Sequence, residues 1–465
     1  MPGVMLNGVG SGPSDGAWMG EDMLTSEAYS READAVRGPF LRRLPSAALG
    51  TIVLAAMFAA LISARTIPFS FGLILVAMLV SAAAAGRLSR SVARLDLLTA
   101  ALVAFPLWSA ATALWSEDPG LALIKSGMAL LFLVAALVLV RLARRESTMN
   151  ALHLADGVWM GLLIGLTYFF IELVSDQAIK MWVYNMLDLG PEQLKPLRHF
   201  TFAHGDIVDI SPIDLTRNTA PISLFIWPAA IAAAATAPRR LRTPLSVGLV
   251  LLAVVVIVLS THETSKLAIV VGLVAYALAR LSHRWAFRLM SAAWLACCLL
   301  IVPAALLAHR ADLHNAQWLQ ASAQHRIIIW NHTAEQTLQR NPLFGIGANM
   351  THILGPRLRD ATDNTEGEVQ ERTLSRHAHN VFLQTWFELG AVGAVLLAIA
   401  GVAILAALRR LDRAVRPHAF ALFASASVMA LASYGMWQIW FMAMFATAPV
   451  MFATAHRART GPVES

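Results

Sequence analysis

Cysteine and charged residues are scarce in this sequence. The chain of 465 residues contains two cysteines, Cys297 and Cys298, which are adjacent within one apolar run. Adjacent cysteines at such a place predict no structural disulfide and offer no spacing for a metal site. Charged residues make up 14% of the chain and hydrophobic residues 57%. This balance excludes an ordinary soluble domain, in which about a quarter of the residues are charged.

The hydrophobic residues are grouped into runs of about 18–25 residues, the length that crosses a bilayer. This pattern predicts an all-α, polytopic membrane protein with about 12 transmembrane helices. The predicted spans are 46–64, 68–85, 97–115, 122–140, 154–174, 219–236, 243–260, 265–281, 286–308, 380–407, 417–435 and 437–455.

The placement of lysine and arginine predicts the orientation of these spans. Arginines cluster in every second connection, whereas the short connections on the other side carry only Arg65 and Lys266. Cytoplasmic loops retain positive charge, so both termini are predicted to be cytoplasmic. The net charge of +7 is therefore an orientation signal and indicates no nucleic-acid partner.

The spans divide the chain into five parts. A cleavable signal peptide is not expected, because the first apolar run begins only near Ser46. The large periplasmic loop between helices 9 and 10 holds seven of the fourteen histidines, and its stretch 323–342 predicts an amphipathic helix closed by Pro342. The predicted parts are a disordered cytoplasmic tail (1–45), helices 1–9 (46–308) with a periplasmic segment (175–218), the periplasmic loop domain (309–379), helices 10–12 (380–455) and a cytoplasmic tail (456–465).

Polar side chains continue from this loop into the tenth span. Asn380, Gln384 and Glu388 are four residues apart, so they form one stripe along a helix. A carboxylate in the hydrocarbon layer costs about 2.5–3.5 kcal/mol on insertion scales and should therefore face the bundle interior or a wet cavity. The stripe indicates either a substrate-binding surface or hydrogen bonds that hold neighbouring helices together.

Two histidines, His377 and His379, precede the same span. Alternate residues of an extended backbone point the same way, so the two imidazoles are expected to lie close together. Such a pair could bind a metal or act as a general base. No third ligand stands at a suitable spacing, which favours the acid–base or substrate-orienting role over a metal site.

Four cations stand at the predicted outer boundary of the membrane, namely Arg217, Lys266, Arg326 and Arg376. Each could snorkel to lipid headgroups. Together they indicate an anion site, and planar guanidinium groups suit the recognition of phosphate. A pyrophosphate at the lipid–water boundary would satisfy this pattern.

Two further features carry weaker predictions. Gly345-x-Gly347 lacks the third glycine of a dinucleotide fingerprint, so it predicts a tight turn near a ligand or a helix end. Lys125, Asp156 and Glu172 are ionisable groups within apolar runs, as a transporter or flippase would use, but they do not recur at matched depths in two halves.

Four stretches in this order resemble the O-antigen ligase and O-antigen polymerase superfamily of bacterial envelope glycosyltransferases. The resemblance covers the chain from about Arg217 to Leu397. The four stretches are "TRNTAPISLFIWP" (216–228), "TSKLAIVVGL" (264–273), "HRIIIWNHTAEQTLQRNPLFGIGANM" (325–350) and "HAHNVFLQTWFELGAVGAVLL" (377–397).

The resemblance implies a metal-independent, inverting enzyme of the bacterial inner membrane with a periplasmic active site and no cofactor. Its donor would be a glycan on undecaprenyl pyrophosphate, and its acceptor a sugar hydroxyl of lipid A–core, in a setting of membrane lipids. An O-antigen or exopolysaccharide polymerase, with another glycan as acceptor, stays open as the alternative.

The superfamily's functional residues can be carried onto this chain. Its essential arginines would fall at Arg217 and Arg326 and its essential histidine at His379, with His377 as the second candidate. Lys266 departs from the superfamily, which usually has arginine there. An ammonium group cannot bind two phosphate oxygens in the forked geometry of a guanidinium.

Overall fold

The computed structural model describes residues 46–87, 96–194, 196–362 and 377–460. The predicted tail 1–45 and the candidate residue Arg376 lie outside these ranges. The strands are β1 (Phe200–Ala203) and β2 (Asp206–Ile210). The helices are α1 (Ser46–Ile62), α2 (Ile67–Ala84), α3 (Leu97–Ala111), α4 (Pro119–Arg144), α5 (Thr148–Val174), α6 (Ala178–Met186), α7 (Thr216–Thr236), α8 (Arg242–Leu259), α9 (Glu263–Leu281), α10 (His283–Arg310), α11 (Ala321–Gln339), α12 (Thr351–Thr362), α13 (Val381–Leu408), α14 (Arg416–Ala432) and α15 (Ile439–Thr460).

The predicted helical membrane architecture is confirmed. Each of the twelve predicted spans coincides with one helix, and within the described ranges ten helices are long and apolar enough to cross a membrane. Helix α3 is long enough together with the 3-10 turn that extends it to Leu114, whereas the other two, α1 and α14, have 17 residues each. Helix α15 continues to Thr460, so the first residues of the predicted tail 456–465 are helical.

The two long connecting segments lie at one end of the bundle, which we call the loop face (residues 175–218, 309–362 and 377–379). The first segment carries α6 and the antiparallel hairpin of β1 and β2, a small addition to the predicted all-α fold. The second carries α11 and α12, and α11 ends shortly before Pro342, as predicted. A hydrogen bond from Arg326 on α11 to Thr264 on α9 joins this segment to the bundle.

Helix α7 is the centre of the bundle. It is buried without interruption from Asn218 to Ala233, and it packs against α5, α8, α14 and α15. A helix that is apolar on every side is stable only when other elements surround it. Because Arg217 lies in its first turn, α7 places this cation in the middle of the loop face.

Helix α13 is interrupted within the bundle. Its backbone leaves the helical conformation at Gly390 (φ 69°, ψ −169°), which frees amide and carbonyl groups. The turn 341–350 supplies partners, as where the amide of Gly347 donates to the carbonyl oxygen of Glu388 at 2.9 Å. Gly345 has a positive φ of 75°, and a Cβ there would collide with the backbone of Glu388. The Gly345-x-Gly347 turn therefore packs against a helix break, in agreement with the prediction.

Candidate active site

The predicted catalytic residues Arg217, Arg326 and His379 come together at the loop face, around Tyr434. The phenol of Tyr434 is hydrogen-bonded to the side chain of Arg217, and its ring centroid lies 6.0 Å from that guanidinium carbon. Arg326 acts electrostatically on both Tyr434 and His379. The hydroxyl of Thr264 holds Arg326, since the guanidinium Nη1 donates to it at 3.4 Å. Residues far apart in sequence thus form one cationic and aromatic cluster.

His379 is held in one tautomer. Its Nδ1 lies 2.8 Å from the carbonyl oxygen of Ser433, and because a carbonyl only accepts, Nδ1 carries the hydrogen. The lone pair is therefore on Nε2. Burial, against an opposing hydrogen bond to Ser433 and together with the charges of Arg326 and His325, lowers the pKa of His379 to about 4. The imidazole is neutral at neutral pH and can accept a proton on Nε2.

His377 adopts the opposite tautomer. The Nε1 of Trp440 donates to the Oε1 of Gln438 at 2.8 Å, which orients that amide so that its Nε2 donates to the Nε2 of His377 at 3.2 Å. The hydrogen of His377 is therefore on Nδ1, which is buried and has no partner within the described ranges. Burial lowers the pKa of His377 to about 3, and His379, whose ring centroid is 4.1 Å away, contributes. One histidine thus offers an acceptor and the other a donor.

A cavity of about 690 Å³ opens beside His377, while His379 and Arg326 are not among its lining residues. Three cations, Arg65, Lys125 and Arg217, line it, and no carboxylate does so among the described residues. Such a wall attracts anions. The remaining lining residues are Pro68, Phe69, Leu121, Asn349, His352, His377, Gln384, Gly435, Trp437, Gln438, Ile439 and Trp440.

Glu388 belongs to a closed hydrogen-bond network. Its Oε1 accepts from the amide of Thr351 (3.2 Å), from the hydroxyl of Thr351 (2.6 Å) and from the Nε2 of Gln384 (3.1 Å). Its Oε2 accepts from the amide of Asn349 (3.0 Å) and from the Nε1 of Trp437. The side chain is fully buried. Glu388 therefore anchors α12 and the α14–α15 connection to α13, and only its neighbours Gln384, Asn349 and Trp437 reach the cavity wall.

The other predicted substrate-binding residues have different surroundings. Asn380 caps α13, because its Oδ1 accepts from the amide of Leu383 at 3.0 Å, while its buried Nδ2 has no partner in the described part of the chain. Lys266 donates to Glu263 at 2.9 Å and is not among the residues that line the cavity. Within the described residues, no group of three or more His, Cys, Asp or Glu side chains could hold a metal ion.

Sequence reasoning missed Tyr434 and the connection that carries it. The predicted spans 417–435 and 437–455 leave almost no residues between them, whereas α14 ends at Ala432 and α15 begins at Ile439. The apolar character of this stretch hid the turn, although Gly435 was a signal. A Cβ at Gly435 would lie 2.8 Å from the Cβ of His377, so glycine allows the close approach of the turn to this histidine.

Three further site residues were also missed. Arg65 was read only as a topology signal and Lys125 only as a candidate relay group, yet both line the cavity. His262 is stacked on Tyr434 with ring centroids 5.8 Å apart, and burial lowers its pKa to about 4. Only the tertiary fold brings these side chains to the site.

Comparisons with known proteins give one family model and two relatives that are similar to this chain. Residues 248–398 match the family model described as O-antigen ligase. This match and the two relatives below make the chain similar to the O-antigen ligase superfamily. The segment that matches the O-antigen ligase model runs from α8 to α13 and contains Arg326, His377 and His379. Arg217 and Tyr434 lie outside it and reach the site through the fold.

Two curated relatives extend the similarity. A protein of Rickettsia felis described as "Putative polysaccharide ligase" is 25% identical over 295 residues, which are 63% of this chain and 65% of the relative. A protein of Rickettsia conorii with a similar description is 26% identical over 230 residues, 49% of this chain and 54% of the relative. The chain thus spans less than two thirds of the length of these relatives.

Proposed function

We propose that this protein transfers a glycan from undecaprenyl pyrophosphate to a sugar hydroxyl of lipid A–core, at the periplasmic face of the bacterial inner membrane. The observation that carries the proposal is a set of unpartnered buried donors beside a cationic cavity. Arg217 Nε, His377 Nδ1 and Asn380 Nδ2 are buried and lack a partner in the described part of the chain. Buried donors are normally satisfied, so their grouping favours a ligand rich in oxygen acceptors.

The cavity suits a pyrophosphate attached to a lipid. Arg65, Lys125 and Arg217 would bind the phosphate oxygens, with the Nδ1 hydrogen of His377 as a further donor. Phe69, on the same wall, is 80% exposed and therefore would face the hydrocarbon of the membrane. The lipid tail could remain in the bilayer while the pyrophosphate enters the cavity. Lys266 and Arg376 stay predicted donor contacts.

The proposed reaction is a direct displacement at the anomeric carbon. The acceptor oxygen forms a bond to this carbon as the bond to the pyrophosphate oxygen breaks, so the configuration inverts. Undecaprenyl pyrophosphate leaves with the electron pair. Arginine and lysine side chains would stabilise the charge that grows on it, and preorganised charge of this kind lowers the barrier of many enzymes. These cations would do the work of a divalent metal in other glycosyl transfers.

His379 would take the proton of the acceptor hydroxyl on Nε2. Its neutral state and fixed tautomer support this role, because only an unprotonated nitrogen can act as the base. A pyrophosphate bound nearby would raise the pKa of His379, since negative charge stabilises the imidazolium. The donor would thus prepare the base for proton transfer.

The test is transfer in proteoliposomes that contain purified protein, lipid-linked glycan and lipid A–core, with a chelator present. We expect full transfer by the wild type and by Arg310→Ala, a change of an exposed arginine outside the site. We expect transfer by His379→Ala to fall by about 10²–10⁴-fold, the usual contribution of a general base. Full activity of His379→Ala would remove this residue from the mechanism, and loss of wild-type transfer in chelator would contradict the metal-independent reaction.

The acceptor is tested in cells that lack the gene. Loss of every long chain from an intact lipid A–core supports the ligase. Chains that stop after one repeat indicate a polymerase, and unchanged lipopolysaccharide with loss of exopolysaccharide indicates an exopolysaccharide polymerase.

A further inference from the structure

A second cavity, of about 400 Å³, lies on the loop face and is used by no step of the proposed reaction. Its size falls in the range of small-molecule sites. The side chains that the argument uses are Trp115, Glu117, Arg340, Asn341, Met350 and Leu354.

The indole of Trp115 is a fixed platform in this cavity. Its Nε1 donates to the carbonyl oxygen of Gly345 at 3.0 Å, and its ring lies 5.7 Å from Trp108 and 6.1 Å from Phe344. These contacts set the orientation of the ring, while 39% of the residue stays exposed. A rigid, partly open aromatic face offers contact area at little cost in conformational entropy.

The polar groups around this platform include donors and acceptors. Glu117 contributes a carboxylate and pairs with Arg357. Arg340 contributes an exposed guanidinium, whose Nε donates to Gln336 at 2.9 Å and whose two NH₂ groups carry further donors. Asn341 adds an amide. This mixture differs from the first cavity, where every charged side chain among the described lining residues is a cation, and it suits a neutral ligand with many hydroxyl groups better than a phosphate.

The two cavities share a wall. Asn349 and His352 line the first, while Met350 and Leu354 line the second. Between the end of the turn and the start of α12, these four side chains therefore face the first and the second cavity in turn. A glycan that is longer than the reacting sugar could lie across this wall.

We propose that the second cavity is a carbohydrate subsite that holds a sugar ring one or more units from the reacting sugar. The carbon–hydrogen face of a pyranose ring packs on Trp115, and its hydroxyl groups bind Glu117, Arg340 and Asn341. The inference rests on the proposed function, because it assigns the ring to the donor glycan or to the acceptor.

Binding is measured first, without any transfer. The probe is the repeat-unit oligosaccharide of the host cell's own surface polysaccharide, released from its carrier lipid by mild acid and freed of phosphate. Saturation-transfer NMR on protein in nanodiscs reports its affinity. We expect Arg340→Ala to weaken binding about tenfold or more, the effect of losing one hydrogen bond to a charged group. Trp115→Leu should weaken binding by a similar factor, because the sugar ring loses its flat aromatic contact.

Two controls match these variants in chemistry. Arg310→Ala and Trp318→Leu change exposed residues that line neither cavity, and both should bind like the wild type. Wild-type protein that fails to bind the oligosaccharide, or Arg340→Ala that binds it unchanged, would overturn the inference.

Transfer kinetics then identify the source of the ring. A raised KM for the acceptor in Arg340→Ala assigns the subsite to the acceptor, and a raised KM for the donor assigns it to the donor glycan. Two unchanged KM values overturn the inference. A protein that binds the oligosaccharide through Arg340 and yet transfers no glycan would refute the proposed function and leave the subsite standing.

Discussion

Two polar clusters lie side by side at the loop face, and they differ in how far their hydrogen bonds are satisfied. Around Glu388, both carboxylate oxygens accept from protein donors. Around His379, the buried donors of Arg217, His377 and Asn380 have no partner among the described residues. Burying polar groups costs free energy in both clusters. Among the described residues, only the cluster around Glu388 offsets this cost with hydrogen bonds inside the protein.

This difference distinguishes residues that hold the fold together from residues that are available to bind a ligand. A closed network such as that of Glu388 fixes backbone segments, because each bond constrains a different part of the chain. An open set of donors keeps its binding capacity for a ligand. The polar stripe predicted from the sequence thus contains both kinds of residue, since Glu388 is closed within the protein and Asn380 keeps an unpaired donor. Variants can test this division.

The largest expected effect is the loss of the proposed base. His379→Ala should lower the transfer rate by about 10²–10⁴-fold, the usual contribution of a general base. The unfolding temperature should change little, because within the described residues the side chain of His379 makes a single hydrogen bond, to the carbonyl oxygen of Ser433. Transfer assays and thermal unfolding of the same sample measure both. A large drop in unfolding temperature would instead show that His379 stabilises the fold, as Glu388 does.

The next effect comes from the cationic wall. Arg217→Ala should lower transfer by about 10²–10³-fold, as the removal of one oxyanion donor does in other enzymes. Arg217→Lys keeps the charge but loses the planar fork, so its activity should lie between those of the wild type and the alanine variant. Equal activity of the lysine and alanine variants would show that a positive charge without the planar guanidinium does not support transfer.

The sequence predicted the helices well because long apolar runs have few alternatives to a membrane helix. It also predicted that Arg217, Arg326 and His379 share one face, since topology fixes the side on which each connection lies. It did not predict the break at Gly390 or the turn at Tyr434, because hydrophobicity continues through both. The pairing of Lys266 with Glu263, three residues earlier, was visible as an i, i+3 pair and was overlooked.

A smaller effect on transfer is expected from the closed network. Glu388→Gln places an amide NH₂ group against donors of Thr351, Gln384, Asn349 or Trp437, which should cost about 1–3 kcal/mol of stability. The activity per folded molecule should fall by less than about tenfold, because protein donors already occupy both carboxylate oxygens of Glu388. The control is Glu335→Gln on the exposed surface of α11. An unchanged unfolding temperature together with abolished transfer would instead show that Glu388 takes part in the transfer reaction.

The smallest expected effect is a shift in the pH profile. The positive charge of Arg326 lowers the pKa of His379, so Arg326→Gln should raise that pKa from its value of about 4. The neutral base exists above the pKa, and the acid limb of kcat/KM should therefore move to higher pH, by less than about one unit. Burial, His325 and the neighbouring ring of His377 continue to act on His379, which limits the shift.

Arg310→Gln, a charge change outside the site, should leave the limb in place. Identical limbs for wild type and Arg326→Gln would mean that the two clusters differ in hydrogen bonding alone, without electrostatic coupling of Arg326 to the base.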